Sequence, residues 1–342
     1  MKLKTFSYRL ENKKPFRIAH GSRTFTETLF VQVEHEGITG TGEASHVPYY
    51  GIKVEDSITL IKANWEKIVS FWYKGHAIFW AEIDKLFGAN HFAKCALDIA
   101  FYDWRAQKAD LPLWQYLGLR NYDLPKSSFT IGMGSEEEMK DSLLGSDFLS
   151  FKIKLGGEND LDALKYLRTL SSKAFKVDVN GGWTLEETLA ILPDLEKVGL
   201  ELLEQPLSQN FWDENNRIRE VTNIPVFADE SCFSLKDVQT CASCFDGINI
   251  KLTKCGGIFP AIKMVEMARS MNLKLMIGCM TESSVGIATI AHLASLFDFV
   301  DMDGAALLKI DPSGGFILDK GVVKFSDRNG HGAQLLIDEY GA

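Results

Sequence analysis

Two lysines one residue apart, Lys152 and Lys154, lie within the apolar stretch FLSFKIKL. Side chains of a β-strand alternate between its faces, so both lysines should point to the same side. An isolated pair of this kind would ordinarily be solvated on an exposed strand. Strands of a parallel sheet covered by helices are buried on both faces, so here the pair predicts an anionic group opposite the two cations.

Three acidic residues end later strand-like stretches at nearly equal spacing. Asp178 and Glu204 are 26 residues apart, and Glu204 and Asp229 are 25 residues apart. One β/α unit has about that length, so the three carboxylates should meet at one rim of a barrel. Clustered carboxylates repel one another unless a cation joins them, and hard oxygen ligands suit Mg²⁺. Alternatively, each acid caps the helix that follows it.

The elements that position these residues begin near residue 125. Eight short apolar stretches follow, and helical patterns separate most of them, which predicts an α/β protein with a (β/α)₈ barrel of the TIM type. An open doubly wound sheet would need a Gly-rich phosphate turn near its first strand, and the sequence has none. The stretches span 129–133, 148–155, 175–180, 200–206, 224–230, 247–252, 273–279 and 297–303.

The chain before the barrel has a different pattern. Residues 1–50 contain strand-like segments, and apolar residues at three- and four-residue spacing predict one helix over 57–72 and a second that begins near residue 92 and ends at Pro112. Between the first two strand-like segments lies PFRIAHGSRTFTE (15–27), which is polar and contains Gly. We expect this stretch to form a loop.

Composition restricts the class of protein. The chain has 342 residues, is 46% hydrophobic and carries a formal net charge of −9, which predicts a folded protein that binds neither nucleic acid nor an anionic membrane. No apolar run approaches the roughly 18–20 residues of a membrane-spanning helix. The first residues also lack the apolar core of a signal peptide. We therefore expect a cytoplasmic protein.

A third lysine, Lys251, ends the sixth predicted strand. In a closed eight-stranded barrel the second and sixth strands lie four apart, so Lys154 and Lys251 should face each other across the mouth. A substrate carbon between them can lose a proton to one lysine and regain one from the other. A lysine acts as a base near neutral pH only if its pKa is lowered, which Lys152 and a bound metal cation would do for Lys154.

Taken together, these motifs resemble the enolase superfamily over nearly the whole chain. Superfamily members remove a proton next to a carboxylate with a Lys or His base and Mg²⁺. The resemblance further implies a homo-oligomer and three domains: an α+β capping domain at 1–118, the barrel at 119–312, and a segment at 313–342 that packs back on the capping domain. The motifs are ALDIAFYDWRAQKADLPLWQYLG, KIK, DVNGGW, EQP, ADES and INIKLTKCGG.

Lysines on the second and sixth barrel strands are a pattern that resembles the muconate-lactonizing-enzyme-like subgroup of that superfamily. The seventh strand ends MIGCMTE without a histidine, which disfavours the members that dehydrate acid sugars with a His–Asp pair. The activities of the lysine subgroup are muconate cycloisomerisation, o-succinylbenzoate synthesis, N-acylamino acid racemisation and dipeptide epimerisation.

Two acids at the end of the eighth strand distinguish these activities. Asp301 and Asp303 share a face of the strand and offer a site for a substrate cation such as an α-ammonium group. Of the four substrates only a dipeptide carries one, and the pair resembles the D-x-D motif with which dipeptide epimerases hold the dipeptide N-terminus. Alternatively, the two acids cap the last helix or pair with a basic residue.

By the same resemblance, Thr130 and Cys279 line the dipeptide pocket. Epimerases that act on Ala-Glu place an arginine of the N-terminal region against the side-chain carboxylate. Arg23 lies close to that position, but Ser22 is the residue that matches it, so the resemblance is compatible with an acidic second residue and with a small or apolar one. Three more residues are candidates for shaping the pocket: His20, Phe25 and Glu282.

The hypothesis is therefore a Mg²⁺-dependent dipeptide epimerase acting on Ala-Ala-like or Ala-Glu substrates, such as peptides from cell-wall recycling. Asp178, Glu204 and Asp229 would hold one Mg²⁺, which binds the substrate carboxylate. Lys154 and Lys251 would exchange the α-proton of the second residue, and Lys152 would support the enolate. The alternatives are an N-acylamino acid racemase, an o-succinylbenzoate synthase, a muconate cycloisomerase, or an inactive barrel that only binds a small anion or metal.

Overall fold

The computed structural model of the chain describes residues 1–19, 21–157 and 159–337. Its N-terminal region contains a three-stranded antiparallel sheet in the order β1-β2-β3, covered by helices. The strands are β1 (Lys2–Ile18), β2 (Gly21–His35) and β3 (Ile38–Ser45), and the helices are α1 (Val54–Ala63), α2 (Trp65–Phe71), α3 (His76–Phe87), α4 (His91–Lys108) and α5 (Leu113–Tyr116).

The second region is a barrel of eight strands, each paired with its neighbours in chain order. Its strands are β4 (Phe129–Ile131), β5 (Ser150–Lys154), β6 (Ala174–Asp178), β7 (Leu200–Glu204), β8 (Val226–Ala228), β9 (Gly247–Ile250), β10 (Lys274–Gly278) and β11 (Phe299–Asp301). The helices of this region are α6 (Glu136–Leu144), α7 (Asp160–Leu170), α8 (Leu185–Val198), α9 (Trp212–Val221), α10 (Val238–Cys244), α11 (Leu252–Cys255), α12 (Ile258–Ser270) and α13 (Ser284–Leu293).

The barrel closes where the chain enters β4. Ser127 forms a parallel bridge with Val300 of β11, and the Ser128 N–H donates to the Val300 carbonyl at 3.3 Å. Each of the eight apolar stretches predicted from the sequence overlaps one of these strands, and seven contain the whole strand. The predicted fold, a barrel preceded by an antiparallel capping domain, is therefore confirmed.

Helix α4 joins the capping domain to the barrel. It is buried on nearly all sides, as expected for a helix that packs between two layers. Strand β3 lies so close to it that a Cβ at Gly42 would fall 1.9 Å from the Ala96 carbonyl oxygen. Glycine at this position therefore sets the distance between sheet and helix.

Buried acids of the capping domain bind the N-termini of two barrel helices. Asp98 of α4 accepts from the backbone N–H groups of Ile258 and Phe259 at 2.6 and 3.2 Å, at the start of α12. Glu43 of β3 likewise accepts from the Ser283 N–H at 3.0 Å, at the start of α13. The first N–H groups of a helix lack partners within it and favour negative charge. These bonds fix the capping domain on the barrel.

The expectation of a loop over residues 15–27 is wrong. Strands β1 and β2 continue through it as a hairpin, with Arg17 paired to Ser22 and Ile18 to Gly21. A register shift between Glu11 and Phe16 interrupts the regular pairing, as at a β-bulge, where strands bend. Hydrogen bonds between its two arms satisfy the backbone there, so the polar composition does not prevent strand formation. His20 lies outside the described residues.

The helix predicted over 57–72 is divided at Asn64, which separates α1 from α2. The Asn64 side chain donates to the Leu60 carbonyl at 3.0 Å, and its own N–H donates to Ile61 at 3.2 Å. Asparagine competes in this way for the carbonyl groups that would continue a helix. The helical content was predicted correctly, but the break was not.

Four short strands complete the described chain: β12 (Ser313–Gly314), β13 (Ile317–Asp319), β14 (Val322–Lys324) and β15 (Gln334–Leu335). Part of this segment contacts the capping domain, since the Leu113 N–H donates to Gly330 at 2.7 Å. The domain boundaries given above stay a prediction. Among the described residues, no helix combines the length and apolar character that a membrane crossing requires.

A buried histidine predicts that the fold loses stability in acid. His292 of α13 accepts the Trp114 N–H at Nδ1 (3.0 Å), and its Nε2 lies 3.2 Å from the His331 carbonyl. These partners require the neutral ring, and burial lowers the pKa of His292 to about 3. Between about pH 6.5 and 3 the unfolded chain binds the extra proton, so stability falls as pH falls, by up to roughly 5 kcal/mol.

Urea unfolding of the wild type and of His292→Gln between pH 7 and pH 4 would measure this effect. The variant is expected to be less stable at pH 7 but to lose less stability on acidification. Equal pH slopes for the two proteins would contradict the assignment.

Candidate active site

Three carboxylates converge at the carboxyl ends of adjacent barrel strands. Asp178 ends β6, Glu204 ends β7, and Asp229 follows β8. Asp178 and Glu204 are direct partners in the sheet, and one carboxylate oxygen of each of the three residues lies within 4.8 Å of the others. All three side chains are buried. The spacing predicted from the sequence therefore does bring these acids together.

The chemistry of this acidic triad fits a divalent cation. Hard oxygen donors are the ligands that Mg²⁺ prefers. Within the described part of the chain, Oε2 of Glu204 is buried without a hydrogen bond, although Nζ of Lys152 lies 2.7 Å away. Oε1 of the same carboxylate accepts from Asn249 Nδ2 at 2.7 Å. Asn249 thus holds one oxygen and leaves the other for a cation.

The pKa values of the triad are displaced in opposite directions. Burial, with the nearby charge of Asp178, raises the pKa of Glu204 to about 8. Burial also acts to raise the pKa of Asp229, but Lys251 and Lys254 outweigh it and hold that pKa well below its usual range. Such opposed shifts among touching carboxylates are typical of functional sites.

The two lysines of β5 lie on the same side of the strand, as their spacing predicts. Lys152 is 1% exposed, and its Nζ lies 2.8 Å from Asp301 Oδ2 and 3.2 Å from Asp178 Oδ2. Lys154 donates to Asp178 Oδ2 at 2.5 Å and to Asn180 Oδ1 at 3.3 Å. Both cations are therefore charge-compensated by the acids at the mouth.

Lys251 lies on the other side of the triad, directly after β9. Its Nζ donates to Asp229 Oδ2 at 2.6 Å. Burial alone would lower the pKa of Lys251, but the surrounding carboxylates, Asp229 first, outweigh it and raise that pKa. The same balance raises the pKa of Lys152, with Asp301 the largest of its acidic contributions. A cation on the triad would offset this negative charge and lower the pKa of nearby lysines.

A cavity of about 340 Å³ opens above these groups. One wall comes from the hairpin of β1 and β2 and from the Tyr49–Tyr50 turn, and the floor comes from the barrel. The structure places all the predicted base and substrate-binding residues on this one cavity: Lys152, Lys154, Lys251, Thr130, Cys279, Asp301, Asp303, Ser22 and Arg23.

The two acids at the end of β11, Asp301 within the strand and Asp303 beyond it, take different partners. Asp301 accepts from Ser128 Oγ at 3.0 Å and pairs with Lys152. Asp303 accepts from the N–H of Thr130 at 2.6 Å and from its hydroxyl at 3.2 Å. Burial and the charge of Asp301 raise the pKa of Asp303 to about 7. A substrate cation beside Asp303 would remove this penalty.

Two further candidates do not reach the cavity. Phe25 lies beneath the guanidinium of Arg9, which is 3.8 Å from its ring centre. Glu282 turns back to accept the Met280 N–H at 2.8 Å. Burial, with the nearby Glu43, raises the pKa of Glu282 to about 8. Neither residue is among those that line the cavity.

Lys254, a residue not predicted above, is buried beside the triad. Its Nζ lies 2.5 Å from Asp229 Oδ1 and donates to the Asn249 carbonyl at 3.0 Å. Lys251 and Lys254 are three residues apart, so one helical turn brings them to the same carboxylate. The three-residue spacing of the two lysines in INIKLTKCGG could therefore have predicted that Lys254 lies beside Lys251.

Gln205 is a second residue of the site that was not predicted from the sequence. It follows Glu204 with φ of +40°, and its Oε1 accepts from the N–H groups of Asp229 and Ser231 at 2.9 and 3.1 Å. A side chain that accepts from the backbone of a neighbouring acidic residue fixes the position of that residue. The EQP motif therefore supplies both a carboxylate and the support of the next one.

Comparison with known proteins agrees with this arrangement of barrel, cap and triad. Residues 1–118 match the family model of the mandelate racemase / muconate lactonizing enzyme N-terminal domain, and residues 135–339 match the enolase C-terminal domain-like model. The chain therefore belongs to the mandelate racemase / muconate lactonizing enzyme family of the enolase superfamily.

Individual relatives are epimerases and a racemase. An L-Ala-D/L-amino acid epimerase from Flavobacterium johnsoniae is 39% identical over 98% of this chain and its own full length. A dipeptide epimerase from Cytophaga hutchinsonii, complexed with Mg and D-Ala-L-Val, has a TM-score of 0.89 at 25% identity, with 97% of this chain and 95% of that chain covered. An N-succinyl Arg/Lys racemase from Bacillus cereus has a TM-score of 0.91 at 26% identity, with 98% and 96% covered.

The predicted family and enzyme class, an isomerase of the epimerase type, are confirmed by these relatives. The prediction of Mg²⁺ as cofactor agrees with the Mg complex of the Cytophaga protein and with the acidic triad found here.

Proposed function

We propose that this protein is a Mg²⁺-dependent dipeptide epimerase that inverts the α-carbon of the second residue. The observation that carries the proposal is one cavity with lysines on both sides of an acidic triad and an acidic pair at one end. Such a cavity suits a substrate with a carboxylate at one end and an ammonium group at the other.

Asp178, Glu204 and Asp229 would hold the Mg²⁺. When bound, the ion supplies positive charge that stabilises negative charge developing on the substrate carboxylate. Asn249 and Gln205 orient two of the three acids through the bonds described above. The metal site is therefore supported by the barrel itself.

Lys154 and Lys251 would move the proton. One lysine, in its neutral form, takes the α-proton, and the electrons of the broken C–H bond pass into the carboxylate to give an enolate. The other lysine, protonated, returns a proton to the opposite face. Lys152 is too closely surrounded by Asp301, Glu204 and Asp178 to serve as base, and contributes positive charge near the enolate.

Asp301 and Asp303 would hold the substrate ammonium. Lys152 already neutralises part of the charge of Asp301, so we assign the larger share of the contact to Asp303. Thr130 orients that carboxylate through two hydrogen bonds. N-acyl amino acids and muconate carry no cation for this pair, which makes the racemase and cycloisomerase reactions the second choice.

The second residue of the dipeptide would face the hairpin. Phe16, Ile18, Val47 and Tyr50 offer apolar surface there, which suits a small or apolar side chain. Arg23 also lines the cavity, half-buried, and no described carboxylate lies within ion-pair distance of its guanidinium. An acidic side chain would therefore be accepted as well. The L-Ala-D/L-amino acid epimerase relative, by its name, spans such a range.

The direct test is incubation of the Mg²⁺-loaded protein in D₂O with a pooled dipeptide library. Mass spectrometry would detect a gain of one deuteron, and the labelled masses would name the second residue. No exchange across the library, together with exchange into an N-acyl amino acid, would overturn the proposal in favour of the racemase reaction.

The substitution Asp303→Asn tests the ammonium site. The substitution removes the charge of the side chain but keeps its shape. The substrate ammonium would then lose its buried carboxylate partner, so KM for a dipeptide should rise by about 10²-fold. Steady-state kinetics would measure this effect, with the exposed Asp147→Asn as control. An unchanged KM would show that the ammonium group binds elsewhere.

We further propose that the protein resides in the cytoplasm, associates into a homo-oligomer and acts in cell-wall peptide metabolism. The first two are open to fractionation and to size measurement in solution.

A further inference from the structure

The segment that follows Lys251 is held by the capping domain. This segment, residues 252–259, contains α11 and the start of α12. Asp98 of α4 accepts two backbone N–H groups from it, as described above, at 2.6 and 3.2 Å. His91 of the same helix lies with Nδ1 2.5 Å from the Thr253 carbonyl, so this nitrogen donates. Two buried side chains of α4 therefore anchor the backbone that begins at Lys251.

The geometry leaves little freedom at this junction. A Cβ at Gly257 would lie 2.4 Å from Asp98 Oδ2. The carbonyl of Lys251 accepts the N–H groups of Lys254 and Cys255 at 3.0 and 3.1 Å. Lys251 therefore begins a turn, and Asp98 fixes the other end of the segment that contains this turn.

The segment that follows Lys154 is held differently. Asp160 of α7 accepts the N–H groups of Gly156 and Gly157 at 2.6 and 2.9 Å. Trp183 donates through Nε1 to the same carboxylate at 2.7 Å. Asp160 and Trp183 both belong to the barrel. The hydrogen bonds that hold the two segments therefore come from different domains, and among the described residues the capping domain meets the segment after Lys154 only by packing, where a Cβ at Gly156 would lie 2.7 Å from Ala19 Cβ.

We infer that Asp98 and His91 are positioning residues for Lys251 alone, so that the capping domain controls proton transfer at one face of the substrate. The inference rests on the proposed two-base reaction. A base displaced by a fraction of an ångström transfers its proton much more slowly, and a shift of residues 252–259 would move Lys251 but not Lys154.

The experiment follows deuterium uptake into each epimer separately. The protein is incubated with Mg²⁺ in D₂O and with each epimer of a dipeptide in a separate reaction, and the initial rate of deuterium uptake is measured on the recovered starting epimer. Proton removal and return by the same lysine labels an epimer without inverting it. Lys251→Ala first identifies the epimer whose exchange depends on Lys251.

Asp98→Asn should lower exchange of that epimer about tenfold, a loss typical of a slightly displaced catalytic group. Exchange of the other epimer should stay within about twofold of the wild-type rate. Asp160→Asn is the matched control and should shift the ratio in the opposite direction. His91→Ala should act like Asp98→Asn, and His91→Asn, which keeps a donor near the Nδ1 position, should restore the ratio.

An equal fall for both epimers in Asp98→Asn and His91→Ala would overturn the inference, because a general structural role lowers both rates together. Unchanged rates in both variants would overturn it as well. Absence of any exchange in the wild type would instead contradict the proposed function, and the inference with it.

Discussion

Replacing Lys251 by alanine is expected to lower epimerisation by about 10³-fold in both directions. Exchange of the α-proton by Lys154, without inversion, should continue. General acid–base groups contribute roughly 10² to 10⁴-fold, and inversion needs a proton donor on each face. Lys154, held at the opposite side of the triad by Asp178 and Asn180, can still remove a proton and return it. The epimer that faces Lys154 should therefore exchange its α-proton in D₂O without inverting.

Polarimetry or chiral chromatography would measure the inversion, and mass spectrometry would measure the exchange. Lys154→Ala should give the mirror result, with exchange confined to the other epimer. The exposed Lys263→Ala, on α12, should behave like the wild type. Full inversion in both directions by Lys251→Ala would rule out the two-base reaction.

The second large effect is expected from Glu204→Gln, which should weaken Mg²⁺ binding by about 10²-fold or more. The substitution removes a ligand charge from the centre of the triad but keeps the shape of the side chain. Mg²⁺ at 100 times its dissociation constant should stabilise the wild type by about 2.7 kcal/mol. The same concentration should leave the variant nearly unchanged.

Thermal unfolding with and without Mg²⁺ would show this difference without any activity measurement. Glu266→Gln, on an exposed face of α12, is the matched control and should respond to Mg²⁺ like the wild type. A variant that Mg²⁺ stabilises as strongly as the wild type would show that Glu204 is not a ligand.

Regular spacing made most of the fold predictable. The strands carry their apolar residues in short runs, and β/α units of nearly constant length bring Asp178, Glu204 and Asp229 to one rim. The hairpin over residues 15–27 was not predictable, because its arms are held by backbone pairing across residues of mixed polarity. The break at Asn64 likewise depends on one side-chain hydrogen bond.

In the candidate site, residues that point into the cavity were easier to predict than those that support it. Lys152, Lys154 and Lys251 stand out because cations are rare in buried strands. Lys254 binds the Asn249 carbonyl and the Asp229 carboxylate, and Gln205 accepts from the Asp229 N–H, and their residue types alone do not predict these contacts. Such contacts depend on which carbonyl or N–H lies within reach, which only the folded chain determines.

The origin of the cavity walls has an evolutionary consequence. The acids and lysines lie at strand ends of one barrel, whereas the surface proposed for the second residue comes from the hairpin and the turn after β3, both in another domain. Substitutions in that hairpin can change substrate preference while the proton-transfer groups keep their geometry. Selection can therefore act on substrate range and on reaction chemistry through separate parts of one gene.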